Sequence, residues 1–323
     1  MATYIVGVDI GGTTTKFGLL TDKGEYRDQW RISTDTENGG KDFPGQIAAA
    51  IDERLNEHRI SKRDLLGVGV GVPGFIDEER GIVSAPNIGW KNDPLRSMLA
   101  DALHLPVYVN NDANLAAAGE HWQGAGKKED STFFITIGTG VGGGLLVNGE
   151  LVTGVSGTAG EIGHMLVVPH GRLCTCGREG CLEEYVAAKG LSKSLRDYLR
   201  NGIGTSILDE NSVAIDIYEA AAAGDALALH IVNEAAYYLG YALANAATML
   251  NPGKIIIGGG ISAAGNTLLQ PLLVHFKRFV LKEADRKLAL ETAELGNDAG
   301  IYGAAWLVMK RLGYFDGRSR PLK

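Results

Sequence analysis

One arrangement occurs twice in this chain and restricts its fold more than any other feature: strand, glycine-rich turn, strand, tight turn, strand. In the first copy, residues 4–9 form an apolar run ending in an acid. A glycine–threonine turn leads to a strand over 16–20, and a D-K-G turn leads to another over 25–34. In the second copy, residues 132–137 read as a strand, 138–144 as a glycine-rich loop and 144–147 as the next strand. The N-G turn at Asn148 and Gly149 opens a third. Two copies so far apart predict two lobes of related build, since the spacing is too long for a solenoid repeat.

Around these copies, strands alternate with helices. Ile47, Ile51 and Leu55 recur at helical spacing within a helix over 42–58, and 66–72 is a short uncharged strand. A helix over 93–103 has Asp93 as its cap and Pro94 in its first turn. A strand over 106–110 ends in N-N-D and precedes an alanine-rich helix over 113–122. Further helices are predicted over 182–199, 212–223, 225–250, 264–282 and 299–311, with strands over 254–257 and 288–292. This alternation means an α/β fold with partly parallel sheets and binding sites at strand carboxyl ends.

The 323 residues suggest two domains, and 45% hydrophobic with 21% charged residues is ordinary for a globular chain. A net charge of −7 argues against a nucleic-acid surface, the nearest basic run being the short stretch 317–323. The opening M-A-T-Y-I-V-G-V-D-I has no basic region and carries an acid in its apolar stretch, so it does not read as a signal peptide. Residues 235–250 are the best membrane candidate. They are too short to span comfortably and contain Asn245, so they read as a helix buried between two layers.

The three cysteines, Cys174, Cys176 and Cys181, sit in C-T-C-G-R-E-G-C, and His164 lies upstream in E-I-G-H. Three thiolates and one imidazole complete a tetrahedral zinc set with no position left for water, so the metal is structural. The competing reading is a chance cluster of inert thiols, although buried structural cysteines usually scatter through a core. Three grouped cysteines fit a reducing cytoplasm better than a disulfide scaffold. Glu161 and Glu183 flank the cluster, so the loop is rich in hydrogen-bonding carboxylates.

D-I-G-G-T-T-T-K, from Asp9 to Lys16, places an acid, two glycines, three hydroxyls and an amine at a strand end. Glycines let backbone N–H groups approach a phosphate, hydroxyls donate to it, and the acid can hold magnesium through water. The run does not match the P-loop pattern, and taken alone it could be an ordinary glycine hairpin. A second loop, I-G-T-G-V-G-G-G, and a third, I-I-I-G-G-G-I-S, make that explanation harder; the third suits the nucleoside. Asp112, in V-N-N-D-A-N, is either a helix N-cap or a carboxylate that accepts the proton of an attacking hydroxyl. Residues 69–75 and the P-N-I-G-W segment offer further loops, with Asn87 beside the Trp90 ring either closing a turn or facing a sugar.

Together these residues resemble the ROK family (repressors, open reading frames, kinases), and within it the bacterial ATP-dependent glucokinases. The likeness runs from Asp9 to about Trp306. Its most specific element is E-I-G-H followed by C-x-C-G-x-x-G-C-x-E. The resemblance implies a two-lobed actin-like, ribonuclease-H-like ATPase fold. It implies a small lobe over 1–118 plus about 298–323, and a larger one over 119–297 that carries the zinc loop. It places zinc on His164, Cys174, Cys176 and Cys181. Sugar hydroxyls would meet Asn111, Asp112, Glu161, His164 and Glu183, with Gly74 and Asn87 as additions. ATP with Mg2+ would meet Asp9, Gly11, Gly12, Thr13, Thr14 and Lys16, then Gly138, Thr139 and Gly140, and finally Gly258, Gly259 and Gly260. N-D-A-G, from Asn297, resembles the segment where the chain crosses back to the first lobe.

The activity so implied is phosphorylation of glucose on its 6-hydroxyl, with Asp112 as base, by a cytoplasmic homodimer that binds neither nucleic acid nor membrane. Rivals within the family are kinases for N-acetylmannosamine, fructose or allose, and a polyphosphate donor in place of ATP. The rival from another class is a sugar-responsive repressor. Such proteins carry a helix-turn-helix domain ahead of the first glycine loop, for which the residues before Asp9 leave no space.

Overall fold

A computed structural model describes residues 3–204 and 206–315; the basic stretch 317–323 lies outside the described residues. Two compact units emerge. One comprises Met1–Thr132, Gly144–Ala159 and Glu294–Lys323, the other Phe133–Gly143 and Gly160–Ala293.

In the first unit the chain runs β1 (Tyr4–Ile10), β2 (Thr14–Thr21), β3 (Tyr26–Ser33), α1 (Phe43–Glu57) and β4 (Leu65–Val72). It continues through β5 (Phe75–Asp77), β6 (Ile82–Ala85), β7 (Trp90–Asp93), α2 (Leu95–Leu103), β8 (Val107–Asn111) and α3 (Asp112–Gln123). The main sheet has the order β3-β2-β1-β4-β8, with β1, β4 and β8 parallel and the first three strands antiparallel. Its parallel strands are mostly apolar until their carboxyl ends because both faces are covered. One cover is α1 with α2, whose Phe43, Ile47, Ile51, Leu95, Leu99 and Leu103 are buried against Val6, Val8, Val68 and Val70.

The strand register gathers the polar residues. Asp9 stands opposite Lys16 on β2 and opposite Gly71 on β4, and Gly71 in turn stands opposite Asn110 on β8. The acid, the lysine and N-N-D therefore share the carboxyl edge of the parallel strands.

The second five-stranded sheet has the order β11-β10-β9-β12-β13. Its members are β9 (Thr132–Ile137), β10 (Val141–Val147), β11 (Glu150–Val152), β12 (Lys254–Gly258) and β13 (Ala289–Thr292). The second unit holds α4 (Glu183–Val186), α5 (Ala188–Arg200), α6 (Ala214–Ala222), α7 (Ala226–Leu250), α8 (Asn266–Phe279) and α9 (Lys282–Asp285), while β11 and the end of β10 are counted with the first. The α7 helix starts on the Asp225 side chain, which accepts from Ala228 N at 2.9 Å, and ends on Asn251 in the left-handed conformation. Among the described residues no helix is long and apolar enough to cross a membrane.

At Glu294 the chain returns to the first unit and forms α10 (Ala299–Arg311). This helix packs on β1, β4 and α3. The approach is so close that a Cβ at Gly69 would strike Ala304 O, and one at Gly303 would strike Leu115 O. Glu120, fully buried at the end of α3, accepts from Ala125 N (2.9 Å), Leu295 N (2.8 Å) and Glu294 N (3.2 Å). One carboxylate thus pins two segments far apart in sequence.

Several expected boundaries are corrected. A three-stranded sheet, β5-β6-β7, occupies a stretch read as loops, so the loop expected over 69–75 shrinks to Pro73 and Gly74. The loop expected over 138–144 is only a three-residue turn, since β10 already begins at Val141. Asp93 ends β7 and accepts from Lys91 N instead of capping α2. The single helix over 182–199 is broken at the extended Ala187, and that over 264–282 is split into α8 and α9.

Candidate functional site

In the second unit, the His164 Nδ1 lies 3.7 Å from Cys174 Sγ, and the Cys176 and Cys181 sulfurs are 3.6 Å apart. All four donor atoms lie within 4.8 Å of one another. Zinc–sulfur bonds of about 2.3 Å put two tetrahedral sulfurs about 3.8 Å apart, so these four donors fit zinc as they stand. The loop is shaped by bridges Leu166↔Cys181 and Leu173↔Glu179, and by Gly180, where a Cβ would strike Val168 O. Arg178 donates to His164 O (2.9 Å); its backbone N–H and guanidinium hold the exposed Cys176 thiol down to about 6. Burial pushes the Cys174 thiol up to about 12. Arg178 was not singled out in the sequence, although its place between the cysteines could have flagged it.

Because Nδ1 faces the cysteines, the remaining ring nitrogen of His164 is left for another partner. The Glu183 Oε1 lies 3.0 Å from Cys174 Sγ and 3.6 Å from His164 Nδ1. Glu161 precedes the short 3-10 turn Ile162–His164, and Gly163 is required there because a Cβ would strike Val141 O. The turn at Gly138, Thr139 and Gly140 borders the same loop: a Cβ on Gly140 would lie 3.2 Å from Glu183 Oε2. Gly259, with φ +84°, sits against Ile137, which brings the third glycine run beside the second. The second unit thus gathers Glu161, His164, the cysteines, Glu183, Gly138, Thr139 and Gly140, with Gly258, Gly259 and Gly260 beside that turn.

In the first unit, Asp112 is the first residue of α3, and it is not the cap. Asn111 is the cap: its Oδ1 accepts from Ala113 N (2.9 Å) and Asn114 N (3.1 Å). Its Nδ2 donates to Gly74 O (3.1 Å), leaving one amide hydrogen for another acceptor. The Asp112 Oδ1 accepts from Ala113 N at 2.9 Å, and burial raises its pKa above the ordinary 3.8. Burial likewise pushes Asp9 up to about 6; the Lys16 charge opposes that shift and the Asp112 charge adds to it. The two carboxylates therefore feel each other along one sheet edge. Next to Asp9 stands the first turn of α10, where a Cβ on Gly300 would come 2.9 Å from the carboxyl carbon.

Not every expected residue holds its place. Thr15 is buried and shares its hydroxyl with Thr34 (3.0 Å), which also donates to Gly11 O (2.7 Å), so only Thr13 and Thr14 keep hydroxyls for a ligand. Trp90 offers no open ring. It is 3% exposed, and its indole N–H donates to Gly40 O. Asn87 is exposed on a turn that closes through backbone bonds from Ile88 and Gly89 to Ala85 O. A cavity of about 820 Å³ opens in this unit, lined by Phe75, Ser84, Asn110, Asn111 and Asn114 among others.

Each of the three glycine runs contains one glycine that the protein's own packing does not require. A Cβ on Gly12, Gly138 or Gly260 would meet nothing within 4 Å, and none of the three has a left-handed φ. Backbone kept bare toward open space leaves room for something else to come close.

The ROK family profile matches residues 5–311. The glucokinase of Halalkalibacterium halodurans is 46% identical over 323 residues, covering 95% of this chain and 96% of the relative. Among solved structures, the ROK hexokinase from Thermus thermophilus superposes with a TM-score of 0.85 at 31% identity, covering 96% of this chain and all of that one. The ROK glucokinase from Streptomyces griseus, solved in complex with glucose and AMPPNP, gives a TM-score of 0.76 at 34% identity, covering 95% and 99%.

Proposed function

Since the chain belongs to the ROK family, we propose that it is an ATP-dependent glucokinase that makes glucose 6-phosphate. The observation that carries the reading is the Asp112 carboxylate, released from capping by Asn111 and set on the sheet edge that holds Asp9 and Lys16. A 46% identical glucokinase, matched along nearly its whole length, supports it.

In this reading the glucose 6-hydroxyl gives its proton to Asp112, and its oxygen attacks the γ-phosphorus in line while ADP leaves. With Oδ1 tied to Ala113 N, the other carboxylate oxygen is the one that takes the proton. A raised pKa makes Asp112 a stronger base than an exposed aspartate. Asp9 would hold Mg2+, which would supply positive charge to offset the negative charge growing on the transferred phosphoryl group. Lys16, Thr13, Thr14 and the amides at Gly11 and Gly12 meet the phosphates from the first turn. On the second unit, Gly138, Thr139 and Gly140 would meet phosphate oxygens, and Gly258, Gly259 and Gly260 would border the adenosine.

For the sugar hydroxyls the first unit would offer Asn111, Asp112, the Gly74 backbone and Asn87, and the second unit Glu161, His164 and Glu183. His164, Cys174, Cys176 and Cys181 would hold zinc, which would supply rigidity and fix the His164 tautomer, leaving its other ring nitrogen able to donate to a sugar oxygen. A thiolate-rich structural site suits a reducing cytoplasm. A second copy of the chain suits the apolar strip of α7 and α8, where Tyr237, Tyr241, Leu273 and Val274 stay exposed.

The test is a coupled kinase assay on a panel of glucose, N-acetylmannosamine, fructose and allose, with ATP or polyphosphate as donor. Run beside it is Asp112→Asn. Glucose with ATP should give the highest kcat/KM, and the variant should lose about 10²–10⁴-fold in kcat while still binding glucose. An Asp112→Asn enzyme with normal turnover, or a different preferred sugar, would overturn the assignment.

A further inference from the structure

Two buried asparagines flank Asp112, and the phosphoryl-transfer chemistry proposed above gives them no task. Asn110, the penultimate residue of β8, is 2% exposed; Asn114, in the first turn of α3, is 4% exposed. The buried residues that follow in this helix are Leu115, Ala117, Ala118 and Gly119, and then Glu120, His121 and Trp122 at its far end. Apolar residues could fill the same space without burying amides, which are costly to bury unless fully bonded.

They are not fully bonded. Asn110 Oδ1 accepts twice, from Asn111 N at 2.7 Å and from Asn114 Nδ2 at 3.3 Å. Its own Nδ2 and the Oδ1 of Asn114 find no partner among the described residues. The pair is therefore kept at a cost to stability, and what it gains is geometry. The bond from Asn114 to Asn110 closes a ring of chain around Asn111, Asp112 and Ala113, at the corner where strand becomes helix. Inside that ring, Asn111 caps the helix and ties the corner to Gly74. The backbone of Asp112 is thus held from both sides, and its side chain from the Ala113 amide.

From this juxtaposition we infer that Asn110 and Asn114 are positioning residues for the base: their amide–amide bond fixes the Asp112 carboxylate for attack. The inference rests on the reading of Asp112 as base. Small displacements of a catalytic group are expensive, because rate falls steeply as reacting atoms leave the near-attack arrangement.

The experiment is a set of double-mutant cycles in the full-length enzyme, reading kcat, KM for glucose and ATP, and thermal midpoint. Asn114→Ala and Asn110→Ala should each lower kcat by about 10–100-fold with both KM values within about threefold. The double variant should lose little more than Asn110→Ala alone, which already removes the bond to Asn114 along with the acceptor of Asn111 N. In an Asp112→Asn background, Asn114→Ala should leave the residual rate unchanged, as expected of a residue acting through the base. If Asn114→Ala is too unstable to purify, Asn114→Ser takes its place in the same cycles.

A further loss of rate in the Asp112→Asn background, or KM rising in step with the loss of kcat, would overturn the positioning role and leave the kinase reading intact. An Asp112→Asn enzyme that is fully active would instead remove the base itself.

Discussion

The two glycine-turn hairpins share a plan and differ in what they carry. In the first, strands of 7, 8 and 8 residues surround a turn that bears Asp9 and Lys16 in register, with a hydroxyl bridge from Thr15 through Thr34 to Gly11. The second has strands of 6, 7 and 3 residues, and its turn of Gly138, Thr139 and Gly140 holds neither acid nor lysine. Both leave one glycine facing open space. On the kinase reading proposed above, the difference would separate two tasks: both turns would make room for a phosphate, and only the first would add charge and an acid able to hold a metal. The first is accordingly braced from below, because a charged turn held out of position would cost more than a neutral one.

This division of labour can be attacked at several points. The largest effect is expected from Asp9→Asn, with kcat down about 100-fold or more. Thr139→Ala in the second turn should cost no more than about tenfold. Equal losses in the two turns, measured by steady-state kinetics, would erase the distinction.

Cys176→Ala should release zinc, measured by atomic absorption, and raise the glucose KM about 10–100-fold with ATP affinity little changed. Unchanged glucose affinity in zinc-free protein would end the bracing role. Gly12→Val and Gly138→Val should each raise the ATP KM about tenfold or more while shifting stability by less than about 1 kcal/mol. A large loss of stability would mean that packing, not ligand, requires those glycines. Thr34→Val, which breaks the hydroxyl bridge of the first turn alone, should destabilise by about 1–2 kcal/mol in urea titration.

Stability should also depend on pH through Asp9. Its carboxyl titrates at about 6 in the folded chain, above the ordinary 3.8. Between those values the folded state binds more protons than the unfolded one, so stability falls as pH rises through that window. Asp9→Asn should flatten that slope, stabilise the ligand-free protein near neutral pH by roughly 1–3 kcal/mol, and still impair turnover.

Local chemistry made much of this legible in the sequence. The cysteine cluster, the glycine turns and the N-N-D corner are short, and their meaning lies in neighbouring residues. What escaped depends on contacts that spacing does not encode. Strands β5, β6 and β7 are only three or four residues long, too short for alternation to be visible. Trp90 looks like a sugar platform beside Asn87 until its ring is found against Phe43 and its N–H on Gly40, fifty residues upstream. Asp112 and Asn111 are equally good caps by composition; the Gly74 carbonyl, which anchors Asn111, decides between them. The break at Ala187 comes from the extended backbone between α4 and α5, where Ala188 N donates to Gly138 O.

The carboxylate of Glu120 has a consequence for how the molecule is made. It binds amides at Ala125 and at Glu294 and Leu295, so its last ligands leave the ribosome well over a hundred residues after the acid itself. Until residues 294–311 emerge, the sheet of the first unit lacks the helix that covers β1 and β4. The unbroken segment Gly160–Ala293 has by then been fully synthesised. During translation the unit begun first is therefore the one completed last, and a nascent chain arrested before residue 294 exposes the apolar face of its opening strands.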